Sequence, residues 1–252
     1  MHTFDGWDYD PTGKTLVLVG FPKHATQAMQ QLQDKGKLRQ PLKSATWHYN
    51  PQTRSWKLIQ TPTPQLFAGG FAWNPQGKRF IGHDGKRTYH YDPQSYTWTT
   101  YLASSIPGYH LRLTYDTFAN TLLSLGNNAN SHELWSYSSQ ATQWKHVNVA
   151  QPPLPGNGAA VAYGTRHHVL LYLANDSPTP YENSSGKSAT FLYKSQEQQW
   201  VKLPVQSPPL FGMNYLTQYD PETGVFLHFE KPTISDEYMA VWAFRYRPPP
   251  PS

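Results

Sequence analysis

The sequence predicts an all-β protein, a β-propeller of four-stranded blades in which five blades are recognisable and the last is incomplete. A tyrosine precedes a tryptophan by seven residues at four places, Tyr49 and Trp56, Tyr91 and Trp98, Tyr137 and Trp144, Tyr193 and Trp200. The 23 prolines and 17 glycines are spread between short apolar runs, which favours many turns and few long helices. Repetition at long period, with strand-forming composition, is typical of propeller blades.

Each unit also contains a turn followed by an apolar run. The turns are YDPTGK at 9–14, WNPQGK at 73–78, YDTFAN at 115–120, YGTRHH at 163–168 and YDPETG at 219–224. The runs are LVLVG at 16–20, RFIGH at 79–83, LLSLG at 122–126, VLLYL at 169–173 and VFLHF at 225–229. Proline fixes φ and Gly or Asn tolerates positive φ, so these steps predict tight reversals. Each unit is therefore predicted to contain four short strands.

The predicted domain is one propeller spanning residues 1–247, followed by a Pro-rich tail at 248–252. Its units cover about 1–60, 65–103, 108–149, 156–205 and 212–247. In the fifth unit, AVWAFRYR predicts Tyr246 as the repeated tyrosine, which is followed by RPPPPS. Prolines cannot donate the hydrogen bonds of a strand ladder, so this blade is expected to lack its fourth strand.

The start of the chain raises a related question, because HTFDGWDYDP at 2–11 already reads as the innermost strand of the first blade. Either the fifth blade has three strands in a stretched or open ring, or sequence preceding Met1 supplies the missing strand. We favour the second interpretation. It would also account for the lack of a visible secretion signal in residues 1–20.

The repeated aromatic residues, Tyr246 included, are interpreted as structural. A single blade cannot bury both of its faces, so the tyrosines and tryptophans are expected to pack between blades, with all four tryptophans buried. Replacing one such tryptophan by alanine is expected to cost about 3–5 kcal/mol. His48 and His90 each precede a repeated tyrosine by one residue, and they are expected on the blade surface.

The amino-acid composition limits which classes of function are expected. The chain has no cysteine, which excludes disulfides, thiolate metal sites and a cysteine nucleophile. Its net charge is +5, but the 21 Lys and Arg residues are scattered, so nucleic acid is not an expected partner. No apolar run approaches the roughly 20 residues of a membrane span, so no membrane insertion is expected. The compartment and oligomeric state stay open, with secretion or a periplasmic location favoured if a signal sequence precedes Met1.

A family resemblance follows from the strand, loop, Tyr-Asp-Pro and tryptophan pattern, which resembles the kelch repeat and the propeller of galactose oxidase-like proteins. It spans about Phe4 to Tyr246. The usual glycine pair is reduced to Gly20-Phe21, Gly82-His83 and Gly126-Asn127, and it is missing after Leu173 and Phe229. The resemblance implies a degenerate, microbial kelch-like propeller. The copper cofactor of galactose oxidase-like enzymes needs a tyrosine cross-linked to cysteine, so that activity is not carried over.

Catalytic constellations are not recognisable in the remaining residues. A glycoside hydrolase needs carboxylates on separate innermost strands, and only the first entry segment contains acids, Asp5 and Asp8. The eleven histidines are dispersed, and the adjacent pair His167 and His168 would point to opposite faces of a strand. We therefore predict no catalytic residue, no cofactor and no metal site, and we lean against an enzyme.

The predicted binding face is formed by the loops entering the innermost strands and the loops joining second and third strands, which carry function on rigid scaffolds. Its entry residues are His2, Asp5, Tyr109, His110, Arg112, Asn157, Met213 and Asn214. The long second-to-third loops span 21–44, where HATQAMQQLQDKGK is expected to form a short helix, and 175–188, which contains Asp176, Tyr181 and Glu182.

Arg112 is the residue of this face with the clearest chemistry. It lies two positions after His110 on one predicted strand, so both side chains project the same way. Its guanidinium suits a carboxylate or sugar hydroxyls, although pairing with Asp5 is an equally physical use. The sequence thus predicts a non-catalytic binding or scaffolding module for a protein or glycan. The alternative is the propeller portion of an extracellular carbohydrate-active or oxidase-like enzyme.

Overall fold

A computed structural model describes most of the strands and turns of the chain. The described residues are 6–20, 31, 34–36, 44–66, 69–101, 106, 111–125, 133–149, 160–175, 188–210, 216–230 and 238–248. Most of the segment expected to form a short helix lies outside them. In its described part, the Lys35 amide donates a 3.1 Å hydrogen bond to the Gln31 carbonyl, as in one helical turn.

The described strands form five successive sheets. The first contains β1 (Trp7–Asp10), β2 (Thr15–Gly20), β3 (Ala45–Asn50) and β4 (Ser55–Ile59). The second contains β5 (Gly70–Asn74), β6 (Arg79–His83), β7 (Thr88–Asp92) and β8 (Thr97–Tyr101). The third contains β9 (Arg112–Asp116), β10 (Thr121–Leu125), β11 (Leu134–Ser138) and β12 (Gln143–His146). The fourth contains β13 (Ala160–Gly164), β14 (Val169–Asn175), β15 (Ser188–Lys194) and β16 (Gln199–Lys202). The fifth contains β17 (Leu216–Asp220), β18 (Val225–Glu230) and β19 (Ala240–Phe244).

Each sheet follows the predicted order, since every strand pairs with its neighbours along the chain. The first four sheets have four strands, and the fifth has three among the described residues. The prediction that the last blade lacks a fourth strand is therefore confirmed within the described part of the chain. The strands are four to seven residues long, as expected for short strands separated by frequent turns.

The hairpins that join first to second strands and third to fourth strands share one turn geometry. Four residues connect the strands, and the last of the four has positive φ in each of Lys14, Arg54, Lys78, Tyr96, Asn120, Thr142, His168, Gln198 and Gly224. The side chain that ends the preceding strand caps many of these turns. For example, the Asp92 carboxylate accepts the amides of Gln94 at 2.8 Å and Ser95 at 3.3 Å. Such side chain to backbone bonds are typical of Asx turns.

The positive φ falls at Asn120 and Gly224, as the sequence pattern predicted, but not at the glycines of the first two turns. It lies at Lys14 and Lys78 rather than at the preceding glycines, Gly13 and Gly77. Gly13 has a different reason to be glycine, because a Cβ there would lie 2.5 Å from Oδ2 of Asp10. The glycine leaves room for the carboxylate that caps the turn.

The chain divides into two compact units. One comprises Met1–Ile106, His110–Leu113 and Ser138–Trp144, and the other comprises Pro107–Tyr109, Thr114–Tyr137 and Lys145–Ser252. In the first unit, tryptophans of fourth strands bind threonines of the third strand in the preceding sheet. Trp98 Nε1 donates to Thr46 Oγ1 at 3.1 Å, and Trp144 Nε1 donates to Thr88 Oγ1 at 2.8 Å. The repeated tryptophans thus join successive sheets, as predicted for inter-blade packing.

The second unit shows what happens when the threonine is missing. The equivalent acceptor position for Trp200 is Leu134, three residues before Tyr137. The Trp200 ring packs against the apolar cluster that contains Leu134, and its buried Nε1 has no hydrogen-bond partner among the described residues. A separate bond joins these sheets, since the Tyr163 hydroxyl donates to Oδ1 of Asp116 at 2.5 Å.

Burial of the four tryptophans is uneven, so the prediction that all are buried is wrong for Trp56. Trp144 is 4% exposed, whereas Trp56 is 52% exposed, and Trp98 and Trp200 are partly buried. Trp56 belongs to the first of the described sheets. Its ring lies 4.9 Å from the ring of Tyr49 in its own sheet.

The register of the fifth sheet corrects the assignment of Tyr246. Phe244 lies opposite Phe226, just as Tyr91 lies opposite Phe80 in the second sheet. Phe244 therefore occupies the place of the repeated tyrosine, and Tyr246 lies beyond the end of β19, with its ring 5.7 Å from that of His167. The repeat pattern predicts a tyrosine here, whereas a phenylalanine fills the same space without the hydroxyl.

The histidines next to the repeated tyrosines are buried, which contradicts the predicted surface position. His48 and His90 are 7% and 4% exposed, and Nε2 of His48 lies 2.7 Å from the Tyr91 hydroxyl of the next sheet. Burial lowers the pKa of His48 and of His90 to about 4, and it does the same for His228. These histidines are neutral packing residues at neutral pH.

Trp144 and Trp56 form a matched pair for testing the role of the inter-sheet tryptophans. We expect Trp144→Ala to lower the free energy of unfolding by about 3–5 kcal/mol, because it removes a buried ring and leaves Thr88 without its donor. Trp56→Ala should cost much less, because half of that ring is exposed. Urea unfolding of both variants measures the difference, and equal losses would contradict the packing role.

The buried histidines predict a loss of stability in mild acid. Their pKa lies near 4 in the fold and at 6.5 in the unfolded chain, so their contribution is complete above pH 6.5 and is lost as pH falls toward 4. At pH 5 each should contribute a loss of about 1–2 kcal/mol. Urea unfolding between pH 7 and 4.5 should show a smaller pH dependence for His48→Gln than for the parent. His146→Gln, at an exposed position, is the control, and an unchanged slope in His48→Gln would refute the assignment.

Candidate binding cleft of the second sheet

The predicted binding face is described only at Arg112, which begins β9 and is partly buried. The other predicted residues are His2, Asp5, Tyr109, His110, Asn157, Asp176, Tyr181, Glu182, Met213 and Asn214, and they lie outside the described residues. Their role stays a prediction, as does the pairing of Arg112 with Asp5.

A cleft of about 540 Å³ lies in the first unit, beside the second sheet. Its walls are the segment 62–65, which leads toward β5, the loop between β6 and β7, and the outer strand β8. The first two are loops of the kinds predicted to form the binding face. The residues themselves were missed by sequence reasoning, although the dense polar run HDGKR at 83–87 marks the loop.

Asp84 organises the loop between β6 and β7. Its Oδ1 accepts the amides of Lys86 at 2.8 Å and Arg87 at 2.7 Å. Gly85 has a φ of 89°, a conformation that favours glycine, and its amide donates to Nδ1 of His83 at 2.8 Å. Two side chains at the start of the loop, His83 and Asp84, thus bind the amides of the residues that follow, so the polar groups of the loop are held in place before a ligand arrives.

Tyr89 links this loop to the sheet. Its hydroxyl donates to Oδ2 of Asp84 at 2.7 Å. Burial, followed by the hydrogen bond to the Asp84 carboxylate, raises the pKa of Tyr89 to about 12, and Arg87 opposes this shift. The phenol is therefore neutral at neutral pH. A carboxylate, a phenol and a guanidinium converge at one end of the cleft.

Trp98 and Thr100, from β8, extend the lining of the cleft on the sheet face that also carries Tyr89, since Tyr89 pairs with Thr100 across the two strands. The Trp98 ring packs 4.7 Å from that of Tyr91 and is held by its bond to Thr46, which leaves it partly exposed toward the cleft. Thr100 lies two residues further along the strand, on the same face, and is exposed. The cleft thus combines a fixed aromatic side chain with a small set of oriented polar groups.

Metal and membrane features can be stated for the described residues only. In the described ranges, no group of three or more His, Asp or Glu side chains lies close enough to hold a metal ion. Within the same part of the chain, no helix has the length and apolar character needed to cross a membrane.

Comparison with known proteins defines the fold. No family model matches the chain, and no curated protein matches it. Among solved structures, "Kuenenia stuttgartiensis Hydrazine Synthase" matches with a TM-score of 0.53 at 11% identity, over 88% of this chain and 60% of that one. A structure titled "Structure of YjhT" matches with a TM-score of 0.54 at 12% identity, over 90% of this chain and 72% of that one.

At these identities the likeness shows the fold alone. Together with the five successive antiparallel sheets, it places the chain in the class of β-propellers, and the predicted fold class is confirmed. The chain spans less than two thirds of the hydrazine synthase chain that it matches.

Asp84 provides a test of the polar end of the cleft. Asp84→Asn removes a negative charge that favours the protonated phenol, so we expect the pKa of Tyr89 to fall from about 12 toward its usual value of 10. Selective ¹³C labelling of the tyrosine Cζ atoms, with Tyr89→Phe used to assign the resonance, measures this titration by NMR. A pKa that stays unchanged in Asp84→Asn would contradict the described contact.

Proposed function

We propose that this protein is a non-catalytic binding module whose cleft in the second blade binds a short segment of a glycan. The single observation that carries the proposal is the combination of the Trp98 ring with the converging Asp84, Arg87 and Tyr89 side chains. Ligand sites commonly pair aromatic walls with a few placed polar groups, and a cleft of about 540 Å³ lies within their usual range of about 300–1,000 Å³.

The polar groups suit sugar hydroxyls, which both donate and accept hydrogen bonds. Asp84 keeps acceptor capacity, since a carboxylate has about four lone-pair sites and three are used by described donors. Arg87 offers a planar fork of donors that suits pairs of hydroxyls or a sugar carboxylate. The apolar face of a sugar ring can rest on the indole, while its hydroxyls reach Asp84 and Arg87.

We further propose that the propeller is of the kelch-like kind. The support is the register, in which Tyr49 lies opposite Trp56, Tyr91 opposite Trp98 and Tyr193 opposite Trp200. The seven-residue spacing noted in the sequence is therefore one recurrent hairpin. Its repetition in successive blades is the feature that the resemblance to kelch repeats rests on.

Thr100 and Thr99 offer a matched pair of variants for the binding proposal. Both are exposed in β8, but Thr100 lines the cleft and Thr99 faces the other side of the strand. We expect the parent to bind at least one glycan on an array of neutral and acidic oligosaccharides. Thr100→Trp should fill the cleft and weaken that binding by about ten-fold or more, equivalent to about 1.4 kcal/mol. Thr99→Trp should bind like the parent.

Isothermal titration of the array hit against the three proteins measures these affinities. Unfolding midpoints of the variants establish that each remains folded. If the parent binds no glycan, or if Thr100→Trp binds as tightly as Thr99→Trp, the glycan proposal is wrong.

A further inference from the structure

The fifth sheet ends in a strand with an unusual exposure. In the described residues, β19 pairs with β18 alone, whereas the third strands of the other sheets lie between two strands. Val241 in β19 is 58% exposed, and the preceding Tyr238 and Met239 are also exposed. Backbone groups along such an edge can pair with an added strand.

Beside this edge lies a narrow cavity in the second unit. It is lined by side chains of the fourth and fifth sheets, among them Leu171, Leu173, Thr190, Phe226, His228, Trp242 and Phe244. The lining is mainly apolar, with the Thr190 hydroxyl as one of its few polar groups. The same arrangement recurs elsewhere in the chain, which allows the occupant to be identified by comparison.

The equivalent place between the first and second sheets is filled by Trp98. There, Thr46 lies opposite Val19 and accepts the indole N–H of Trp98. In the fourth sheet, Thr190 lies opposite Leu173 in the same way. The cavity beside Thr190 therefore corresponds to the space that holds a tryptophan indole between the first two sheets.

The surrounding contacts agree with this correspondence. Thr46 shares a 2.8 Å hydrogen bond with the Thr63 hydroxyl and still accepts the indole of Trp98. Thr190 shares a 2.7 Å hydrogen bond with the Ser207 hydroxyl, so it can accept an indole in the same manner.

The aromatic side of the cavity also matches the site of Trp98. Phe226 pairs with Phe244 across neighbouring strands, as Phe80 pairs with Tyr91 beside Trp98.

In the fifth unit, a proline stands at the position of the repeated tryptophan. Counting seven residues from Phe244, the place of the tryptophan falls on Pro251, within the run Pro248 to Pro251. Proline has neither an indole nor an amide hydrogen for a strand ladder. The prolines at 248–251 therefore cannot supply the indole and the ladder hydrogen bonds that the cavity and the edge match.

We propose that the edge of β19 is a docking site for an extended segment of a partner protein that carries a tryptophan. The segment pairs antiparallel with β19 as a fourth strand, and its indole enters the cavity and donates to Thr190. Backbone pairing supplies part of the affinity, and the indole pocket supplies the specificity, as in other cases of strand addition. This surface involves different residues from the glycan cleft, so each proposal can fail without the other.

The chain supplies its own probe for this site. A fluorescein-labelled peptide of residues 94–102, QSYTWTTYL with blocked ends, contains β8 and its tryptophan. We expect saturable binding by fluorescence anisotropy. The same peptide with Trp98→Ala should bind about ten-fold or more weakly, because tryptophans are common hot spots. Thr190→Val in the protein, which keeps the shape and removes the acceptor, should weaken binding by about three-fold or more.

Hydrogen exchange gives a second readout that needs no variant. The peptide should slow exchange of the Ala240–Phe244 amides. The proposal is overturned if no peptide binds at about 1 mM, a concentration at which even weak sites are occupied. Equal affinity of the tryptophan and alanine peptides, or protection away from β19, would also overturn it. Concentration-dependent protection of β19 in the protein alone, with dimers in sedimentation, would assign the edge to a second copy and refute a separate partner.

Discussion

The architecture depends on a constraint common to every blade: a four-stranded sheet with two apolar faces must pack against other sheets to bury them. In the first unit this packing is fixed by indoles that reach from a fourth strand to a threonine in the preceding sheet. This hydrogen bond has strict requirements of distance and angle, so it fixes the distance at which neighbouring sheets pack. The buried pair of His48 and Tyr91 adds a second polar link at the same junction.

Both proposed binding sites derive from this one interaction. Where Trp98 lies between the first and second sheets, the exposed part of its ring lines the cleft together with the polar loop at Asp84. Where the fifth sheet lacks a fourth strand among the described residues, the corresponding place beside Thr190 is a cavity next to a strand edge. The position of the repeated tryptophan thus forms part of a proposed binding site in two places, where the residues around it differ.

The hairpins show how much of the local structure follows from sequence. Asp-Pro and Asn-Pro steps predicted tight turns, and turns are found at each of them, because a short polar side chain and a fixed φ act within a few residues. The positive φ lies at Lys14 and Lys78 and not at the preceding glycines, and at Gly13 a side chain would collide with the capping carboxylate of Asp10. A lysine adopts this strained conformation in both turns, which the pattern of residue types does not reveal.

The sequence by itself determined the fold class, the number of recognisable blades, the turns and the recurrence of the tyrosine and tryptophan hairpin, because these depend on local chemistry repeated along the chain. Only the tertiary structure decided that Trp144 is buried while Trp56 is exposed, and that His48 is buried against Tyr91. The tertiary structure also places Phe244, and not Tyr246, at the position of the repeated tyrosine in the fifth sheet. The reason is that register is set by pairing with β18 and not by residue identity. The cleft beside Asp84 and the cavity beside Thr190 were beyond sequence reasoning because tertiary packing forms both of them. The cleft joins the segment 62–65 to the second sheet, and the cavity joins residues of the fourth and fifth sheets.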